Sequence, residues 1–139
     1  VDVILYLQFN GNCAEAFAHY EKLMGGKVIM QSKYSDSPMA NDMPAEMRDK
    51  LIHISMQIGN TVLMGSDAPP NHYAKPQGFS ASVAVKTPAE ADRVFAGLAD
   101  GGSITMPIDK TFWSPRFGMC TDRFGIPWMV NCEAAAANA

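Results

Sequence analysis

Three histidines, His19, His53 and His72, and three cysteines, Cys13, Cys120 and Cys132, are the side chains of this sequence best suited to metal ligation or nucleophilic chemistry. Their spacing supports neither. The cysteines are odd in number and form no C-x-x-C pair, so no zinc knuckle or disulfide framework is indicated, and reduced thiols follow. His19 falls in a helical pattern and His72 in a proline-rich stretch, and both read as surface. His53 differs, because strand alternation sets it with Ser55 and Gln57 opposite Ile52, Ile54, Met56 and Ile58. In that position it is either a structural histidine or a general base and ligand contact. No Ser-His-Asp spacing, glycine-rich phosphate loop or G-x-S-x-G elbow accompanies it. Arg116 sits beside aromatics and reads as solvated surface, with a clamp for a carboxylate or phosphonate as the other reading.

The elements that position these residues are legible from periodicity. Residues 3–9 alternate as a strand, with Val3, Leu5, Leu7 and Phe9 on one face and Ile4, Tyr6 and Gln8 on the other. Asn12 is placed to cap a helix over residues 13–24, whose Ala16, Phe17, Tyr20 and Leu23 recur at helical spacing, and Gly25-Gly26 ends it. A strand is predicted over 27–34, then a long loop over 35–49 with one helical turn near 44–48. Residues 51–58 and 61–66 form a hairpin about Gly59-Asn60, and 67–77, with three prolines, reads as a linker. Strand, helix and strand follow over 79–85, 88–99 and 103–108, with Thr87 as cap, Pro88 at the first helical position and Glu90 in the first turn. The stretch 111–132 reads as a terminal hairpin turning at Thr121–Gly125, its Phe112, Trp113, Phe117 and Trp128 either closing a core or lining a cavity.

With 139 residues, a net charge of −3 and 47% apolar residues, the chain is one soluble globular domain's worth of sequence. No Lys/Arg run suggests nucleic acid or an anionic membrane as a partner, and no apolar stretch approaches the roughly 20 residues of a membrane span. No signal-peptide pattern is present, and a cytoplasmic protein is expected. The alanine-rich tail, 133–139, is too short to hold a helix alone.

The halves repeat. Leu7-x-Phe9 answers Val83-x-Val85, Ala14-Glu15-Ala16 answers Ala89-Glu90-Ala91, and Gly25-Gly26 answers Gly101-Gly102. From double glycine to hairpin glycine takes 34 positions in the first half and 24 in the second, so the loop 35–49 is an insertion on a duplicated unit.

The segment Gly11–Tyr20, the Ile58-Gly59…Leu63-Met64-x-Ser66-Asp67 hairpin, and Phe112-Trp113…Phe117-Gly118…Thr121-Asp122-x-Phe124-Gly125-Ile126-Pro127-Trp128-Met129 resemble the PhnB-like branch of the vicinal oxygen chelate superfamily. That superfamily includes glyoxalase I and bleomycin-resistance proteins. The resemblance covers nearly the whole chain. It implies an α+β fold: a single domain of two tandem βαβββ modules, about 1–67 and 78–133, whose curved mixed sheets form half-barrels around a ligand site with helices outside. It also implies a homodimer. Superfamily enzymes hold a divalent metal on the first and last strands of each module, which fall here near 4–6, 63–64, 79–80 and Met129; none of these offers a His or carboxylate. No metal, cofactor or catalytic residue is therefore expected. The expected lining is Tyr6, Gln8, His53, Ser80, Trp113, Phe117 and Trp128, apolar bodies with scattered polar handles around a small molecule. The function expected is a metal-free small-molecule-binding protein; the alternatives are an isomerase or lyase with an unconventional or absent metal site, or a non-catalytic interaction module. An inherited ubiquinone-methyltransferase label is discounted, since no strand–G-x-G–helix element for S-adenosylmethionine is found.

Overall fold

The computed structural model describes residues 1–134, so that most of the alanine-rich tail lies outside the described residues. The chain divides into two compact units, Val1–Ala74 and Lys75–Ala139. In the first, β1 (Tyr6–Phe9), α1 (Cys13–Met24), β2 (Lys27–Lys33), β3 (Leu51–Ile58) and β4 (Thr61–Asp67) form a four-stranded sheet of order β1-β4-β3-β2. In the second, β5 (Ala81–Val85), α2 (Pro88–Ala99), β6 (Ser103–Asp109), β7 (Phe117–Thr121) and β8 (Pro127–Cys132) repeat the arrangement as β5-β8-β7-β6. In each, the outer pair β1·β4 or β5·β8 is parallel and the remaining pairs are antiparallel. The fold is therefore α+β, a βαβββ module present twice.

Each helix covers one face of its own sheet. α1 buries Cys13, Ala16, Phe17 and Tyr20, and Gly65 on β4 admits the Phe17 ring so closely that an added Cβ would lie 2.7 Å from Phe17 Cε1. Leu7, Phe9, Ile54 and Met56 complete this core. α2 buries Ala91, Val94, Phe95 and Leu98 against Val85, Cys120, Trp128 and Val130. Gly118 on β7 plays the part of Gly65, with Phe95 Cε1 2.7 Å from its would-be Cβ. Thr87 caps α2 as its sequence predicts, accepting from the Glu90 N–H at 3.1 Å.

Several local expectations are corrected. The first strand begins at Tyr6, because Val1, Val3 and Ile4 are exposed and only Leu5, through its carbonyl and the Met64 N–H, makes a ladder-like bond. Asn12 makes no side-chain cap; the Asp67 carboxylate, from the end of β4, accepts the Cys13 N–H at 2.9 Å instead. The loop 35–49 holds more order than one turn. Three single 3-10 turns, Tyr34–Asp36, Ala40–Asp42 and Ala45–Met47, fold Tyr34, Met43 and Met47 into a small apolar cluster with Ile52 packed against it. Phe112, Trp113 and Pro115 precede β7 rather than lying in it. They belong to a loop pinned by the Ser114 hydroxyl, 2.7 Å from the Cys132 carbonyl oxygen.

Candidate functional site

Alternation along each strand leaves one face of each sheet free of its helix. In the first unit, Tyr6 and Gln8 from β1 stand on that face, opposite in side to Leu7 and Phe9. The register sets Tyr6 beside Met64, Gln8 beside Ser66, and Ser55 on the other side of Met64, with His53 one repeat along β3. Three of these side chains are joined. The Tyr6 hydroxyl lies 3.1 Å from His53 Nδ1, and His53 Nε2 lies 2.8 Å from the Ser55 hydroxyl. The Tyr6 and His53 rings lean together, centroids 5.7 Å apart at 30°. Burial grades along the chain: Tyr6 is 43% exposed, His53 half-buried and Ser55 only 5% exposed.

On the helix side of the same sheet, Asp67 ties the end of β4 to α1 and β3. It is 1% exposed, and its carboxylate accepts the Cys13 and Leu51 N–H groups, each at 2.9 Å. The Tyr34 hydroxyl donates to its backbone carbonyl at 2.8 Å. An anion so placed disfavours others nearby. Burial first, then the Asp67 charge, pushes the Cys13 thiol far above its ordinary range, and burial, Asp67 and then Tyr6 raise the Tyr34 phenol.

In the second unit the corresponding face carries Ser82, Ala84, Phe117, Met119, Met129 and Asn131. It is largely apolar. Phe112, Trp113 and Phe117 stack edge to face, with centroids 4.8 and 5.2 Å apart. Asn131 Oδ1 is buried with no hydrogen-bond partner among the described residues. Ser80 lies apart from these aromatics, in an open groove of about 410 Å³ between residues 75–80 and the β6–β7–β8 strands, which Lys75, Phe79, Thr105, Met119 and Thr121 also line.

Tyr6 and His53 are in contact and Gln8 shares their face; Trp113 and Phe117 are in contact; Ser80 stands in the groove. Trp128 stands elsewhere. It pairs with Cys120 beside the β7–β8 turn and on the α2 side, 3% exposed, with its indole N–H donated to Asp122 Oδ2 at 2.8 Å. Trp113 packs on Phe117, at the end of the hairpin away from that turn, so the two indoles are not neighbours. Arg116 is held by Asp92, 2.9 Å from its guanidinium, rather than presented to a ligand. Asn131, Ser66 and the two buried acids escape a reading by composition. Only strand parity could have flagged Asn131, through its alternation with the buried Val130 and Cys132.

The positions at which the superfamily holds a metal carry thioether and hydroxyl side chains here. Tyr6 lies beside Met64 and Ser82 beside Met129, and among the described residues no three His, Cys, Asp or Glu side chains gather as a ligand set. Thioethers and hydroxyls do not fit a hard or borderline divalent ion. No described helix is long and apolar enough to cross a membrane.

Residues 1–131 match the protein-family model described as 3-demethylubiquinone-9 3-methyltransferase. The chain is 34% identical over 134 residues to Protein YjdN of Escherichia coli strain K12, covering 91% of each. Among solved structures it is similar to protein PA1353 from Pseudomonas aeruginosa, at 46% identity and a TM-score of 0.87 over 96% of this chain and 98% of that one. It is also similar to the PhnB protein from Bacillus cereus, at 25% identity and a TM-score of 0.81 over 95% of this chain and 99% of the other.

Proposed function

The chain belongs to the family described as 3-demethylubiquinone-9 3-methyltransferase, within the PhnB-like branch of the vicinal oxygen chelate superfamily, and from that membership we propose that it is a metal-free small-molecule-binding protein. The observation that carries this reading is the Tyr6–His53–Ser55 chain on the helix-free face of the first sheet. Its inner member is buried and its outer member open. A hydrogen-bonded side-chain network of graded burial is preorganised to meet a partner at its exposed end. Gln8 on the same face supplies a further polar contact.

The methyl transfer in the family's description would require a site for S-adenosylmethionine, and the residues present do not fit one. The N-terminus of α1 is occupied by the Asp67 carboxylate, an acceptor already taken by the Cys13 N–H. That of α2 is closed by the Thr87 cap and a proline in the first turn. Neither presents a glycine-rich turn of free N–H groups after a strand, the usual cradle of a nucleoside-bearing cofactor.

The proposal extends to a cytoplasmic homodimer. The edge strands β2 and β6 expose Ile29, Met30, Ile104 and Met106, and an apolar strand edge is commonly covered by a second copy. Light scattering at micromolar concentration is expected to give twice the chain mass; a monomer would remove the dimer from the reading. Binding is tested by titrating small aromatic compounds against ¹⁵N- and ¹³C-labelled protein. Saturable shifts are expected at Tyr6 and His53. A broad set of compounds that moves neither residue would overturn the proposal.

A further inference from the structure

The protons of the Tyr6–His53–Ser55 chain can be arranged in two ways with a neutral imidazole. In the inward arrangement Tyr6 donates to Nδ1 and Nε2–H donates to the Ser55 oxygen, which leaves the Ser55 proton to find another acceptor. Ser55 is 5% exposed, and His53 Nε2 is the hydrogen-bond partner of its hydroxyl among the described residues. In the outward arrangement Ser55 donates to Nε2, Nδ1–H donates to the Tyr6 oxygen, and the Tyr6 proton points away from the sheet. Every buried donor then has an acceptor, and the one free donor is on the 43% exposed phenol. A buried donor without an acceptor is disfavoured by about tenfold or more, so the outward arrangement dominates.

The side chains bonded to His53 carry no formal charge, Tyr6 and Ser55 both being hydroxyls, and Ser32 is its partner on β2. With a neutral imidazole the chain is a one-way hydrogen-bond donor.

We propose that the Tyr6 hydroxyl, set outward by His53 and Ser55, is the recognition point for an uncharged carbonyl oxygen on an apolar ligand. The inference rests on the small-molecule-binding reading and names the ligand chemistry. A carbonyl accepts without donating, matching a site that donates without accepting. A carboxylate would also accept, but among the described residues no cationic side chain is hydrogen-bonded to Tyr6, His53 or Ser55 to accompany it. His53 and Ser55 are positioning residues, since they act on the ligand through Tyr6.

The test has two arms. Two-bond ¹H–¹⁵N correlation spectra of the labelled protein should show His53 protonated at Nδ1 and bare at Nε2; a proton on Nε2 would overturn the inference. In the second arm acetophenone, α-methylstyrene, which replaces the carbonyl oxygen by CH₂, and benzoate are titrated by chemical-shift perturbation. Acetophenone is expected to bind more tightly than either, by about fivefold or more. Tyr6→Phe should erase that preference. Ser55→Ala, which frees the imidazole to accept from Tyr6, should reduce it without removing the phenol. Equal binding of acetophenone and α-methylstyrene by wild type, or an unchanged preference in Ser55→Ala, would overturn the inference and leave the binding proposal standing. If benzoate binds as tightly as acetophenone, the restriction to uncharged ligands is wrong. If no compound moves Tyr6 or His53, the binding proposal itself falls.

Discussion

Asp122 is the residue on which the β7–β8 hairpin depends, and replacing it gives a sharp test of this account. Its side chain is 4% exposed. Oδ1 accepts the Phe124 and Ile126 N–H groups, each at 2.9 Å, and Oδ2 accepts the Trp128 indole N–H at 2.8 Å. Hydrogen bonds to a charged group contribute about 1.5–3 kcal/mol each, and a buried donor deprived of its acceptor costs about 1–3 kcal/mol. Asp122→Asn can keep the two backbone bonds through its amide oxygen but turns an NH₂ toward the indole N–H, so two donors face each other. We expect a loss of about 2–3 kcal/mol for Asn and about 3–5 kcal/mol for Ala. With a urea dependence of about 2 kcal/mol per molar, the Asn variant should move the unfolding midpoint, followed by far-UV circular dichroism, down by roughly 1 M or more. Trp128→Phe keeps most of the ring and loses the N–H, and should cost about 1–2 kcal/mol. Because the clash in Asp122→Asn needs the indole N–H, the double variant Asp122→Asn/Trp128→Phe should be less destabilised than the sum, by about 1 kcal/mol. An Asn variant within about 0.5 kcal/mol of wild type, or strictly additive variants, would refute the assignment of Asp122 as a buried acceptor for that indole.

Three further outcomes are expected. Gly65→Ala would set a Cβ 2.7 Å from Phe17 Cε1 and 3.0 Å from the Leu7 carbonyl oxygen, and should destabilise the first unit by about 1–3 kcal/mol; Phe17→Leu in the same chain should restore part of the loss in a thermal melt. Stability should fall in alkali: burial and then Asp122 push the Cys120 thiol up to about 11, while Cys13 and Tyr34 are also raised. Unfolded thiols ionise near about 8.5 and phenols near about 10. Above those values the unfolded chain releases protons that the folded chain keeps, so stability present below about pH 8.5 should be lost as the pH rises toward 11, and a midpoint unchanged between pH 8 and 10.5 would contradict it. Arg116→Ala, whose partner Asp92 has a side chain 48% exposed, should cost under about 1 kcal/mol and leave ligand-induced shifts at Tyr6 and His53 unchanged.

The parts of the fold that announce themselves in the sequence are those set by local chemistry. Thr87-Pro88-x-Glu90 starts α2 where it should, and Gly25 ends α1 in the left-handed region, at φ 71°. The duplication is legible because both copies kept the same punctuation, and the shared strand order bears it out. The misplaced features depend on partners distant in the chain. Asn12 has the right chemistry for a cap, but Asp67, 54 residues away, reaches the Cys13 N–H instead. Asp122 reads as turn chemistry because its spacing to Gly125 is local, whereas its bond to Trp128 depends on burial that composition does not reveal. Phe112 and Trp113 read as strand residues of the terminal hairpin because bulky aromatics favour a pleated surface. The strand in fact begins at Phe117, and the Ser114 hydroxyl turns the preceding loop aside.

Superposing the registers of the two sheets shows where the copies diverged. Both parallel pairs end alike, Phe9 beside Asp67 and Val85 beside Cys132. This alignment makes Tyr6 equivalent to Ser82, His53 to Phe117, Ser55 to Met119 and Ser66 to Asn131, while Met64 and Met129 agree. On the helix side most equivalents remain buried, Phe9 and Val85, Ile54 and Gly118, Met56 and Cys120 among them, since losing them would open a cavity in each core. On the helix-free side, every member of the hydrogen-bonded chain has a counterpart that could not take its place: serine lacks the reach of tyrosine, and phenylalanine and methionine have no strong donor. Stability alone gives no reason for one copy to keep a phenol, an imidazole and a hydroxyl in register, because a half-buried polar chain contributes little that the apolar set of the other copy does not. The asymmetry is what a binding role in the first unit predicts. It also makes the second unit an internal control: Met119→Ser with Phe117→His should not create acetophenone selectivity there, because Ser82 cannot bring a phenol to the imidazole.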